Sequence, residues 1–190
     1  NSTFLNNYGT LNINSDDDFR ALDFDAFVNN MPGGIIVKNG NGETSTGTGS
    51  FDDVVFNNYG RVIVSSGSFT INTPYSIAGN IGVHSGYYEI QSGATLAGNE
   101  EMHFTGDTII NDGTIALNNL IFDGLNRQYL GGSIMGRISN LYMYNANGLR
   151  MGSDQTIVNN VIFGLGIIHV RPYTMIMDTN VTTATSSFSW

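Results

Sequence analysis

The sequence predicts an all-β chain, a right-handed parallel β-helix whose coils of about 24–27 residues grow shorter toward the C-terminus. Two observations carry that prediction. The pattern Gly-x-apolar-x-apolar returns at Gly9 (Leu11, Ile13), Gly33 (Ile35, Val37), Gly60 (Val62, Val64), Gly86 (Tyr88, Ile90) and Gly113 (Ile115, Leu117), at spacings of 24, 27, 26 and 27. A second glycine follows seven residues later in two coils, Gly67 after Gly60 and Gly93 after Gly86. A period of this length, built from short alternating strands and polar turns, marks a solenoid, because one coil cannot bury its apolar face without a neighbour.

The unit is clearest in Asn57 to Ile71, NNYGRVIVSSGSFTI. Val62 and Val64 alternate with Arg61 and Ile63, Ser65-Ser66-Gly67 breaks the run, and Phe69 and Ile71 resume it, which reads as strand, tight turn, strand. Asn6-Asn7-Tyr8-Gly9 repeats its opening. Further apolar positions before the glycines, at Val54 and Phe56, Ile81 and Val83, and Ile109 and Ile110, suggest a third strand per coil. Three faces per coil stacked at roughly 4.8 Å would make about eight coils and a rod roughly 35–40 Å long.

We expect one solenoid over 1–190, with longer coils in 1–130 and shorter ones in 131–190. Residues 15–32 fit either a helix capped by Asp16-Asp17-Asp18 or two short strands, and the β neighbours favour strands. Asn39 to Ser50, NGNGETSTGTGS, reads as a protruding loop. Beyond Gly131 the glycines tighten to Gly132, Gly148 and Gly166. With no initiator Met, signal-peptide core or membrane-length apolar run, and with an open-ended alternation at Phe188-Ser189-Trp190, the chain is expected to be a segment of a larger protein.

Composition excludes several partners. The net charge is −9 with 7 basic residues, and Lys38 is the only lysine, so neither nucleic acid nor an anionic membrane finds a countercharge and no membrane insertion is expected. Only 12% of residues are charged while 41% are hydrophobic, a balance that favours folding over disorder. Without cysteine, repetition must supply the stability that disulfides provide elsewhere.

Candidate chemistry is sparse. The acids fall in adjacent groups, Asp16-Asp17-Asp18, Asp52-Asp53 and Glu100-Glu101. Neighbours on a strand point to opposite faces, so solvated turn acids are expected rather than an acid–base pair. A calcium site over Asp16 to Asp25 lacks both the EF-hand spacing and the glycine-rich nonapeptide repeat. His84, His103 and His169 fall on different coils, read as exposed strand positions, and form no metal motif. No catalytic residue, metal or cofactor is assigned. The aromatic residues are the better candidates: Tyr8, Tyr59, Tyr87, Tyr142 and Tyr144 could stack on sugar rings or, alternatively, act as ladders holding coils in register. The pairs Asn6-Asn7, Asn57-Asn58 and Asn118-Asn119 suggest amide ladders.

The run NLYMYNANGLRMGSDQTIVNNVIFGLGIIHVRPYTMIM with its SSFSW ending, Asn140 to Trp190, resembles a repeated pattern of large Bacteroidota surface proteins, adhesin-like cargo of the type IX secretion system. Met143, Met151, Met175 and Met177 stand where that pattern has aliphatic residues, and it carries no secretion-signal domain here. The resemblance implies an extracellular, cell-surface location, the type IX machinery as an export partner, and surface glycans or host and substratum ligands as binding partners. Asp107-Thr108-Ile109 is similar to the O-glycosylation acceptor of exported Bacteroidota proteins, with Thr108 as the site. A non-enzymatic adhesin or fibre segment is the leading expectation. A polysaccharide-active β-helix enzyme and a viral tail-fibre segment are the alternatives.

Overall fold

A computed structural model describes residues 2–20, 26–46, 54–72, 82–178 and 182–185. Among these residues there is no helix. The strands are β1 (Thr3–Asn7), β2 (Thr10–Ile13), β3 (Ala26–Asn30), β4 (Ile35–Lys38), β5 (Glu43–Thr46), β6 (Val54–Asn58), β7 (Arg61–Val64), β8 (Ser68–Ile71), β9 (Tyr87–Ile90) and β10 (Thr95–Phe104). They continue as β11 (Thr108–Asn111), β12 (Thr114–Phe122), β13 (Gln128–Gly131), β14 (Gly136–Tyr144), β15 (Leu149–Met151), β16 (Gln155–Leu165), β17 (Ile168–His169), β18 (Met175–Met177) and β19 (Thr182–Thr185).

Every strand pairs in parallel with an equivalent strand one coil away, which makes a β-solenoid of about seven turns. The three expected faces are present. The first begins with β1, β3 and β6, the second runs unbroken from β2 to β17, and the third starts at β5 and β8. From β10 to β16 the third and first faces share one long strand with a register shift, between Gly98 and Glu101 in β10 and between Ile115 and Leu120 in β12, and β18 and β19 then pair with separate parts of β16. His84 joins the older part of the first face to the newer one, bridging Asn58 below and Phe104 above.

Alternation decides what lies inside. Val62, Val64, Phe69, Ile71, Tyr88 and Ile90 are fully buried, while Arg61 faces out. Side chains stack in rows along the axis, such as Ile36, Val62, Tyr88, Ile109, Leu130 and Met151 on the second face. An aromatic column of Phe56, His84, Tyr88, Phe104 and Phe122 fills the interior, with ring centroids 5.7–6.4 Å apart between successive members. Each buried phenylalanine contributes roughly 2 kcal/mol relative to an exposed one.

The pairing corrects the repeat alignment in two places. Gly34, not Gly33, is equivalent to Gly60, so Ile35 and Val37 point outward and the buried positions are Ile36 and Lys38. Gly33 has φ +84° and serves the turn before it. Gly113 opens a third-face strand rather than a second-face one. Ile115 pairs with Leu96, and the residue two before Ile109, the partner of Tyr88, is Asp107. Ile109 and Ile110 therefore belong to the second face and supply no third strand, and Val83 is exposed.

Coils are 26 residues from Ile36 through Tyr88 and 21 from Tyr88 through Met151, so shortening starts two coils earlier than the glycine spacing predicts. Most of the shortening falls at the corner between third and first faces. The step from Phe69 to His84 becomes Leu96 to Phe104, then Ile115 to Phe122, then Ile138 to Met143. Of 15–32, Ala26–Asn30 is a strand and Phe19 bridges Thr46, in keeping with the β reading; 21–25 lie outside the described residues. The stretch 39–50 supplies strand β5, with Thr44, Ser45 and Thr46 buried, while 47–50 lie outside. Ile81, Asp52-Asp53 and the SSFSW ending are likewise outside.

Candidate functional site

The corner between the first and second faces is built from polar residues because backbone groups turning there need partners. Asn7 donates through its side-chain amide to Asn30 Oδ1 (2.9 Å), and Asn30 donates to Asn58 Oδ1 (2.8 Å). The same amides also donate to the carbonyls of Ile35, Arg61 and Tyr87. Beside this ladder runs a second one of opposite sense, in which Asn57 donates to Asn29 Oδ1 and Asn29 to Asn6 Oδ1, both at 2.8 Å. The expected amide ladders are thus present at Asn6-Asn7 and Asn57-Asn58. Asn118-Asn119 behaves differently: Asn119 donates to Glu101 Oε1, and the Asn118 carbonyl accepts from Asn140.

Immediately after each ladder position the chain lies against the coil below. A Cβ on Gly60 would strike the Gly34 carbonyl and come within 2.6 Å of the Met31 carbonyl and 2.9 Å of Asn30 Nδ2. Gly34 and Gly86 are confined in the same way. With no side chains there, the corner becomes the floor of an open groove of about 520 Å³ running along the axis. Its walls include Ile35, Arg61, Tyr87 and Thr108 from the second face and Tyr59 and Ser85 from the turn, with Asp107 at one end.

Two of the five candidate tyrosines, Tyr59 and Tyr87, therefore meet in one groove, together with the candidate acceptor Thr108. Tyr59 is 38% exposed and Tyr87 half-buried. The Arg61 guanidinium lies over the Tyr87 ring, 5.1 Å from its centroid, and donates to Glu89 Oε2 at 2.5 Å. Burial and the neighbouring Glu89 charge push the Tyr87 phenol above its ordinary value, keeping the hydroxyl a donor. Glu89 is penalised by burial, yet hydrogen bonds from Arg61 and Gln91 hold its carboxyl below the usual range.

The remaining tyrosines stand apart from this groove. Tyr8 is the most exposed, at 68%. Tyr142 and Tyr144 share the outward side of β14. The Tyr144 ring covers Gly164 on the next coil, where a Cβ would fall on the ring, so it serves as a register contact between coils.

The acids hold coils together. Asp16 accepts from the Gly42 N–H (2.8 Å) and from Lys38 Nζ (3.2 Å), and Asp18 accepts from the Ser45 N–H and hydroxyl, both at 2.8 Å, and from Arg20. Burial opposes ionisation of Asp18, but these donors win and its carboxyl lies below the usual value. Asp16 Oδ1 and both Asp18 oxygens, which the calcium reading needs, thus already face donors and cations, and Asp23 and Asp25 lie outside the described residues. Asp112 caps the Ser133 and Ile134 amides, and Asp154 the Thr174 amide.

Of the histidines, His84 is buried rather than exposed, because the row carrying Asn7, Asn30 and Asn58 turns inward, and its Nδ1 lies 2.7 Å from the Tyr88 hydroxyl. His103 pairs with Asp123 at 2.6 Å, and His169 is exposed. Among the described residues no group of three or more potential metal ligands comes together, and no helix is long and apolar enough to cross a membrane.

Sequence reasoning missed Arg61 and Glu89 as partners of Tyr87. Stacking the Gly60 and Gly86 repeats letter on letter places Arg61 under Tyr87 and Ile63 under Glu89, which was the available signal. No family model matches the chain, and neither a curated protein nor a solved structure shows significant similarity to it.

Proposed function

We propose that this chain is a non-enzymatic stretch of an extracellular, cell-surface adhesin or fibre, exported by the type IX secretion system. The observation that carries the reading is the axial groove: a stack of repeated coils presents outward tyrosines over a bare glycine floor. The described carboxylates at Asp16, Asp18, Glu89, Asp112 and Asp154 support a non-catalytic role, since each accepts hydrogen bonds that fix coil to coil or turn to turn. Export and surface location rest on the resemblance of Asn140 to Trp190 to surface-protein repeats.

Antibody labelling and protease shaving of intact cells should find the protein outside, and a strain without a working type IX system should retain it. The purified chain incubated with neutral and acidic glycans should release neither reducing nor unsaturated ends. One observation favours the enzyme reading, the His103–Asp123 pair, in which Asp123 Oδ1 is buried with no hydrogen-bond partner among the described residues. Release of sugar ends that Asp123→Asn abolishes would replace the adhesin reading with that one.

A further inference from the structure

We infer that the groove over Gly34, Gly60 and Gly86 is a binding site for a neutral, extended glycan laid parallel to the solenoid axis, with Tyr59 and Tyr87 as its stacking platforms. The inference rests on the adhesin reading for its biological setting, and on the groove itself for its chemistry.

The glycine floor follows from coil packing and would exist in any solenoid with this corner. The walls do not follow from it. In the turn row Tyr59 is flanked by Met31 below and Ser85 above, as the matching backbone bonds Met31 N–H to Asn7 O, Tyr59 N–H to Asn30 O and Ser85 N–H to Asn58 O show. In the second-face row Tyr87 is flanked by Arg61 and Thr108. Among the described residues neither ring stacks on another aromatic and neither shields a glycine as Tyr144 does; Arg61, one coil below, covers one face of the Tyr87 ring. Two partly exposed phenol rings held beside one trough, with the Ser85 and Thr108 hydroxyls nearby, form the mixture of apolar faces and hydrogen-bonding groups that sugar rings need.

Charge selects the class. The only cation lining the groove among the described residues, Arg61, is already bound to Glu89 and stacked on Tyr87; Asp107 stands at one end, and the whole chain carries −9. A uronic acid or sulfated sugar would enter without a free countercharge. Shape selects extension. The wall residues recur once per coil, a rise of roughly 4.8 Å, and the groove crosses four coils from Gly34 to Asp107, roughly 14 Å. An equatorially linked hexose chain advances by nearly one coil rise per sugar, so successive rings meet equivalent positions, whereas a coiled glycan would leave the trough.

Affinity electrophoresis of the 190-residue chain tests the inference, using gels that contain hydroxyethylcellulose as the neutral extended polymer and polygalacturonate as the anionic one. Retardation is expected in the first gel only. Tyr59→Ala with Tyr87→Ala should weaken it about tenfold, while Tyr142→Ala, remote from the groove, should leave it unchanged; circular dichroism should show all three chains equally β. No retardation by hydroxyethylcellulose, stronger retardation by polygalacturonate, or retardation that survives the double substitution would overturn the assignment. Retardation as expected by a protein that cell labelling finds inside would sink the surface reading and leave the groove standing.

Discussion

Asn30 shows how much one residue carries in this chain. It is fully buried, accepts from Asn7, and donates to Asn58 and to the Arg61 carbonyl. Asn30→Ala removes all three bonds and strands buried polar groups on two neighbouring coils, which should destabilise the protein by about 3 kcal/mol in urea unfolding. Lys38 is the complementary case. It occupies a row shared with Val64 and Ile90, is fully buried, and among the described residues donates to Asp16 and the Gly40 carbonyl alone. Asp16→Ala leaves a buried ammonium with a single acceptor and should cost about 2 kcal/mol. Lys38→Met fits the apolar row and frees a half-exposed carboxylate to hydrate, so the same denaturation should show it near neutral or stabilising.

The element that most constrains the fold is the corner turn between first and second faces. Gly60→Ala keeps an ordinary backbone conformation yet drives a methyl into the backbone of the coil below, and should lower stability by about 2 kcal/mol, as overpacking against a group that cannot move. The same substitution at Gly9, whose Cβ would meet nothing within 4 Å, should be nearly silent when the two variants are compared by thermal melting. The turn at Asp16 to Arg20 and strands β7 and β9 also bring a pH dependence. Asp18 and Glu89 ionise more readily folded than unfolded, so their stabilisation is complete above the ordinary carboxylate range and is lost as pH falls through their depressed folded values. The melting temperature should therefore drop below about pH 4, and Asp18→Asn with Glu89→Gln should flatten that acid limb.

At the scale of the whole molecule, the parallel stack makes the interior a set of axial rows, and a row changes character gradually as it climbs. Asn7, Asn30 and Asn58 give way to His84, then to Phe104 and Phe122, so one line of positions is an amide ladder at one end and an aromatic column at the other. His84 serves both, bridging by backbone to each side and meeting the Tyr88 hydroxyl. The architecture was legible because period-two burial and glycine punctuation are local: Val62, Val64, Phe69 and Tyr88 announce their inward positions by alternation alone. The true register was less so. Gly33-Gly34 offers two glycines, and Ile35, Ile36 and Val37 are all apolar, so alternation there has no preferred phase until the coil above supplies Val62 and Val64 as partners. What the sequence by itself determined is that this chain is a β-solenoid of apolar rows and asparagine corners, since that follows from side-chain type and spacing. Only the tertiary structure decided that Tyr59, Arg61, Tyr87 and Thr108 face one groove, because residues up to 49 positions apart become neighbours only when coils of unequal length are stacked in register.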